Sequence, residues 1–507
     1  MVQQEGAIAR RGSLLHARSR LSWVPAFAGM SGIKSELPDV TRLMVLFAAL
    51  CAFAAAAFAP QMLWDSDTLW HLATGDWMLS HHQIARTDPF SFTVPGKPWT
   101  NLEWLSELVM APIYAAGGWS GLHLWFAFAI GALTLVLGAE MARKLPVFSW
   151  AAALFLAVAC TTQSWLARPH LMALPILALW TIQLMRARET GRAPPLWLLP
   201  VMTLWANLHG SFLLGLALIV PFAAEALIEE SADRLKAVRG WILFGLAAGV
   251  AALITPHGID GLLHPIRIGS MRTLQQIAEW KSSDFSRPTA LELSLLTALF
   301  ALLYRGVKVP LVRLVILLGL LHLTLKETRH QMVLAVVAVL LLAEPIGRAL
   351  AGDKPAFVLP KLSPRVRMAA LAAMALAFAG VSAARLLVPA HLTDGPTAPI
   401  AALAHVPQDL RARPVLNDYG MGGYLIFNGV KPFIDGRADM YGDDFFEAYV
   451  KALKPDPARL TALLAKYRVR WTILRAENPA IPAMDAMPGW KRLYADKSAV
   501  VHVKVGA

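Results

Sequence analysis

Apolar runs of membrane-spanning length are the first constraint on this chain. A helix that crosses the hydrocarbon core needs about 20 mostly apolar residues, and about eleven segments meet or approach that standard. They are 43–62, 121–141, 147–165, 170–186, 194–208, 211–229, 241–256, 289–304, 309–325, 330–346 and 367–389. The fifth, ninth and tenth are the weakest, and 194–229 also reads as a re-entrant hairpin turning at 207–210. Only 16% of the 507 residues are charged and 56% are hydrophobic, against about 25% charged in an ordinary soluble domain. Seventeen Trp and eight Tyr suit a chain that crosses lipid–water interfaces. A soluble enzyme, a disordered chain and a disulfide scaffold are excluded. Cys51 and Cys160 lie inside apolar runs and outside any CxxC pattern, which argues against a zinc site.

The net charge of +13 first points to nucleic acid. Its distribution says otherwise. Residues 1–41 are basic, lack helical periodicity and are expected to be unstructured, with Met30 an alternative initiator. The run from Leu43 reads as a retained first span rather than a signal peptide. With the amino terminus inside, the inside segments after it hold sixteen Lys and Arg and the short outside loops nine. That is the positive-inside bias, so the charge is a topology signal and nucleic acid drops out. An odd number of spans puts residues 390–507 outside. Short strands are expected there at 415–416, 424–427, 433–434, 471–474 and 500–505, with helices at 443–453 and 456–467, an α/β domain. The expected fold is an α-helical polytopic membrane domain over 42–389, with a large first outside loop at 63–120, followed by an extracytoplasmic α/β domain.

Unusual polar residues gather at the outside ends of the spans. The first loop carries Asp65, Asp67, His71 and Glu103, and other outside ends carry Arg168, His170, His209, His257, Glu279, Lys326, Arg329 and His330. If the spans bundle, these face one vestibule, and ionisable groups at membrane depth are costly and functional by default. Trp64, Trp70, Trp104 and Trp165 suit interfacial anchors, and His81-His82 suits the surface. Asp65 and Asp67 are the sharpest pair. One serves as a general base for an acceptor hydroxyl or amide; together they also suit a hard divalent cation, Mg²⁺ or Mn²⁺. A structural reading stands beside this one: Asp67 precedes a helical run at 68–80 and favours its positive end.

The set Trp64-Asp65-Ser66-Asp67, the loop helix 68–80, a second loop helix at 101–115 and an exported carboxyl-terminal domain resembles the polytopic C-type glycosyltransferases. These use sugars linked to polyprenyl phosphate. In the exported segment, 416–424 followed by Asp435, Gly436 and Arg437 resembles the Trp-Trp-Asp-Tyr-Gly region of oligosaccharyltransferase catalytic subunits. Leu416 and Asn417 stand where the tryptophans would be, while Asp418, Tyr419 and Gly420 match. The glycines of 420–423 read either as a turn or as a place where backbone approaches a ligand. No GxGxxG or P-loop is present, which leaves nucleotide sugars unsupported.

The resemblance implies a multi-pass enzyme of a bacterial inner membrane, moving a sugar from a polyprenyl-phosphate donor to a glycan, lipid or protein acceptor. Asp65 or Asp67 would be the base. Arg168 and Arg329, with His170, His209, His257, Lys326 and His330, are the candidates for the donor phosphate. His71, Glu103, Glu279, Asp418, Tyr419, Asp435 and Arg437 are further candidates. A transporter or flippase for a lipid-linked glycan, or a non-catalytic assembly protein, stays open as the alternative. Transporters tend to place ionisable groups near the midplane and to carry internal repeats.

Overall fold

The computed structural model describes residues 37–228, 234–351 and 360–506. The basic segment expected over 1–41, its Met30 and Lys354 of the inside count fall largely or wholly outside the described residues. A helix forms at each of the eleven expected runs: α1 (Asp39–Ala57), α3 (Trp104–Met141), α4 (Val147–Thr161), α5 (His170–Glu189), α6 (Leu198–Leu208), α7 (Phe212–Ile228), α8 (Arg234–Ala252), α10 (Ala290–Tyr304), α11 (Leu311–Lys326), α12 (Gln331–Ala351) and α13 (Pro364–Leu387). Between them, α2 (Asp67–His81) lies in the first loop and α9 (Gly258–Gly269) follows α8.

Among the described residues, seven helices are long and apolar enough to cross a membrane. The protein is a multi-pass membrane protein. Helix α6 has eleven residues, a rise of about 16 Å, well short of a hydrocarbon core of about 30 Å. The expected loop helix at 101–115 and the span at 121–141 are two halves of α3, bent at Gly118 where φ is 56° and ψ −150°. A glycine takes that conformation without the clash a Cβ would bring.

The bundle is packed inside and apolar outside. Trp180, Trp205, Trp241, Phe222 and Phe244 are fully buried where α5, α6, α7 and α8 meet. Phe148, Phe155, Val220, Leu246 and Phe300 stand largely exposed. On a soluble protein such a surface would aggregate; on this one it is the face that lipid covers. The end of the bundle that holds the carboxyl end of α5 is laced by ion pairs. Lys144 lies 2.7 Å from Glu189 and 3.3 Å from Glu140, Arg186 pairs with Glu140, and Arg313 bridges Glu225 (3.4 Å) and Glu344 (3.3 Å).

Residues beyond α13 fold around a four-stranded sheet of order β1-β2-β4-β3: β1 (Val415–Asn417), β2 (Trp471–Arg475), β3 (Trp490–Ala495) and β4 (Ala499–Lys504). β1 pairs β2 in parallel, and β4 runs antiparallel to β2 and β3. The expected helices are present as Asp443–Ala452 and Pro457–Lys466, the second capped by Asp456, which accepts from Arg459 N–H. Three expectations change. Residues 424–427 belong to a short helix, Gly422–Phe427, because an apolar run without alternation fits either element. Residues 433–434 are not a strand; the buried Asn417 side chain takes their backbone groups, accepting from Phe433 N–H (2.7 Å) and donating to Ile434 C=O (2.8 Å). β3 was not expected, since its side chains are mostly exposed and carry no apolar alternation.

The exported segment and the first loop share one core. Trp70, Met78, Ala85 and Trp99 of the loop pack with Phe433, Ile434, Met440, Tyr441 and Phe446. Thr93 Oγ1 donates to Phe433 C=O at 2.7 Å and Lys97 Nζ to Tyr441 C=O at 3.2 Å. This docking decides what covers the outer end of the bundle.

Candidate active site

The site is assembled from chain turns that are far apart in sequence. The turn between α1 and α2 supplies Asp65 and Asp67, the residue before α3 supplies Glu103, and the turn before α5 supplies Arg168. The segment after α9 supplies Glu279, and the turn between α11 and α12 supplies Arg329.

Arg168 is at the centre. Its Nη1 lies 3.1 Å from Asp65 Oδ2 and 2.8 Å from Glu279 Oε2, and its Nη2 lies 3.1 Å from Asp67 Oδ2. Three carboxylates therefore engage the guanidinium that the sequence assigned to phosphate. Asp65 has two tasks: its Oδ1 accepts the N–H of Asp67 at 3.0 Å, which opens α2, while Oδ2 faces Arg168. Asp67 itself makes no capping bond. Burial, then the neighbouring Asp65, raises the Asp67 carboxyl to about 7, against the pull of Arg168. Burial pushes Glu279 the same way, but Arg168 and Arg329 outweigh it and hold Glu279 down to about 2.

Arg329 is less committed. Its Nη1 is 3.9 Å from Glu279 Oε1 and its guanidinium lies 4.0 Å above the Trp280 ring. A stacked guanidinium leaves its N–H edge for a planar or tetrahedral anion.

On the other side stands a histidine–glutamate chain. His209 Nε2 is 3.3 Å from Glu103 Oε1 and His71 Nε2 is 3.4 Å from Glu103 Oε2. His71 Nδ1 lies 2.9 Å from Glu107 Oε1, and Asn101 donates to Glu107 Oε2 at 2.6 Å. Burial raises Glu103 to about 7 although Arg168 and Arg329 both pull it down. Burial, with Arg168 next, holds His71 well below its usual range.

The glycine-rich exported segment presses on this loop. A Cβ at Gly423 would fall 2.0 Å from Ser66 O, and one at Gly436 would fall 1.9 Å from Asp67 Oδ1. The glycines allow close approach, as expected, but to the Asp65–Asp67 turn. Tyr419 lies in the field of Asp67 and donates to Gly436 C=O at 3.1 Å; burial pushes its phenol well above its usual range.

The other sequence candidates lie apart. Asp435 and Arg437 form a buried structural knot: Arg437 donates to both Asp435 oxygens (2.7 Å each) and to Asp88 Oδ1 (2.9 Å), and Tyr441 donates to Asp435 at 2.6 Å. Asp418 pairs with Arg475 at 3.1 Å. Lys326 and His330 face Glu327 at 3.6 and 3.2 Å. His170 donates to Ser164 C=O at 2.7 Å, its ring 6.4 Å from that of His209. His257 begins α9, beside the backbone of Asn101. Trp70 and Trp165 are buried, whereas Trp64 is exposed as an anchor would be. Sequence reading missed Glu107 and Asn101. Glu107 sits inside an apolar helical stretch, four residues after Glu103 and hence on the same helix face, and that spacing was the available signal.

For a divalent cation the fit is poor. The guanidinium of Arg168 already lies within 3.1 Å of both Asp65 and Asp67. Among the described residues, no group of three or more His, Cys, Asp or Glu is arranged to hold a metal.

Beside Glu103, an open groove of about 530 Å³ runs along the bundle, lined by Trp104, Leu105, Leu204, Ile254 and Pro256 among others. Trp104 Nε1 fixes its wall by donating to Asn207 Oδ1 at 2.9 Å.

No family model matches the sequence, and no curated protein matches it. Solved structures do match in fold. The oligosaccharyltransferase of Archaeoglobus fulgidus, in its apo form, aligns over 86% of this chain and 69% of its own, with a TM-score of 0.53 and 11% identity. ArnT from Cupriavidus metallidurans, solved bound to undecaprenyl phosphate, aligns over 92% of this chain and 98% of its own, with a TM-score of 0.50 and 13% identity. This chain has the fold of the polytopic C-type glycosyltransferases, as the pattern of spans and loop carboxylates implied.

Proposed function

We propose that the protein is an integral membrane glycosyltransferase of a bacterial inner membrane. It moves a sugar from a polyprenyl-phosphate donor to an extracytoplasmic glycan, lipid or protein acceptor. The single observation that carries this reading is the gathering of Asp65, Asp67, Glu103, Glu279, Arg168 and Arg329 at one end of the bundle, beside a groove open to lipid. A permeation path would place such groups along the bundle's depth. The amino terminus is cytoplasmic and the site faces outward, in line with the charge bias.

The lipid of the donor lies along the groove walled by Trp104, with its phosphate at the head of the groove. Arg329 meets that phosphate with its free N–H edge. Asp67 accepts the acceptor's proton as the acceptor attacks the anomeric carbon from the face opposite the phosphate, and the centre inverts. A base with a pKa near 7 is matched to this task. Arg168 holds Asp67 and Asp65 in place and takes the position a divalent ion would fill, so transfer is expected to persist in EDTA.

The test uses purified protein in lipid nanodiscs with labelled polyprenyl-phosphate sugars and an extract of envelope acceptors. Labelled product from the wild type, lost in Asp67→Asn at unchanged thermal stability, is the expected result. Full turnover by both Asp65→Asn and Asp67→Asn would overturn the reading.

A further inference from the structure

Glu103, His71 and Glu107 form a chain that the aspartate chemistry leaves unused. We propose that Glu103 is the general acid of the reaction, delivering its proton to the departing phosphate, with His71, His209 and Glu107 as positioning residues that keep that proton in place. This inference rests on the transferase reading above.

The hydrogen-bond inventory requires the proton. Ser211 N–H donates to His209 Nδ1 at 3.2 Å. A neutral His209 therefore carries its hydrogen on Nε2 and points it at Glu103 Oε1. Glu107 accepts from Asn101 on one oxygen and faces His71 Nδ1 with the other. If His71 donates there, its Nε2 is a bare acceptor facing Glu103 Oε2. Two acceptors do not bond, so the contact is complete only when Glu103 carries a hydrogen on Oε2. His71 and Glu107 are fully buried, and two ionised glutamates flanking one neutral ring would leave two buried negative charges. Burial is also what raises Glu103 to about 7. The charged and titratable groups facing it are Arg168, Arg329, Glu279, Asp439, His71 and His209.

Place and chemistry agree. Glu103 precedes Trp104, which walls the groove, and it lies in the field of Arg329. The acceptor oxygen forms the new bond to the anomeric carbon. The bond from that carbon to the phosphate oxygen breaks, and its electron pair stays on the phosphate. The acceptor's proton goes to Asp67 and the proton of Glu103 to the phosphate, which leaves as a monoanion instead of a dianion. A phosphate monoester has a second pKa of about 6, close enough to that of Glu103 for efficient transfer. The 3.4 Å contact with His71 is long, so the proton is held loosely and passes to the stronger acceptor as charge builds.

The experiment compares wild type with Glu103→Gln, which keeps the size and polar contacts of the side chain but has no acidic proton. Folding is checked by thermal unfolding. Glu103→Gln is expected to lower kcat about 100-fold, leave the donor KM within about twofold and remove the alkaline limb of the kcat–pH profile. Glu107→Gln is expected to move that limb rather than remove it. A Glu103→Gln enzyme with near-normal kcat and an intact alkaline limb, or one changed only in KM, overturns the acid role. Infrared difference spectra between pH 6 and pH 8 supply a readout besides activity. A protonated-carboxyl band present in wild type and absent in Glu103→Gln supports the proposal, and its absence from the wild type overturns it. A wild type that transfers no sugar from any polyprenyl-phosphate donor overturns the transferase reading and the acid role with it. A failure of the acid role alone is distinct: wild type and Glu103→Gln are then both active while Asp67→Asn is not.

Discussion

Two arginines in this protein each sit between two aspartates, and they do opposite things. Arg437 is fully buried with Asp88 and Asp435, and the hydrogen bonds of Tyr441 and Ser91 complete the set. Phe90 and Trp99 lie near its guanidinium. Each charge there has its counterpart, and the knot pins the first loop to the exported segment. Arg168 is partly open to solvent and meets three carboxylates, Asp65, Asp67 and Glu279. One guanidinium does not satisfy three negative charges. The surplus is relieved by carboxyls that hold on to protons, Asp67 at about 7 and Glu103 likewise. The lesson is that residue type does not separate structure from chemistry. A balanced buried cluster is inert, whereas an unbalanced one at the edge of a groove has protons to exchange.

The contrast can be broken from either side. The largest effect is expected for Arg437→Ala. It strands Asp88 and Asp435 in a dry core and should cost about 3–5 kcal/mol, seen as a lower Tm and early proteolysis of the exported segment. Asp67→Asn should lower transfer by about 10²- to 10⁴-fold without loss of fold, measured as product per unit of folded protein. Next comes Arg329→Ala. Loss of a charge-assisted contact is worth about 1.5–3 kcal/mol, so donor KM should rise tenfold or more while Arg329→Lys recovers part of it. Gly436→Ala sharpens the comparison without touching a charge. Its Cβ would displace Asp67, at about 1–3 kcal/mol of overpacking and with a matching fall in kcat.

The smallest effect is on stability against pH. Asp67 has a raised folded pKa, so its ionisation costs stability that is absent below about 4 and complete above about 7. Asp67→Asn should therefore raise Tm at pH 8 and barely at pH 4. Glu279 runs the other way: its pKa is lowered to about 2, so its contribution is present above about 4.5 and lost as pH falls toward 2.

Much of the bundle was legible because apolar length is written in one dimension. Each expected run from 43–62 to 367–389 holds a helix, and the loop helix after Asp67 is where its sequence put it. Asp65, Asp67, Glu103, Arg168, Glu279 and Arg329 were all named from their position at outside ends, and they do converge. Their partnerships were not legible. Arg168 read as a phosphate ligand because guanidinium suits phosphate; only the fold showed it engaged by carboxylates. Asp435 and Arg437 read as site residues from a motif, and the fold placed them in the knot. Glu107 was overlooked because one acidic residue in an apolar helix gives no sign of what it faces.

The sequence by itself determined that this chain lives in a membrane, which ends of its helices are polar, and that a mixed α/β segment follows the bundle. Hydrophobicity and charge act residue by residue and need no knowledge of neighbours. Only the tertiary structure decided which aspartate pair is neutralised and which is left with protons to move. That depends on how many partners reach each carboxylate across hundreds of residues, and on how much water the packing leaves beside it.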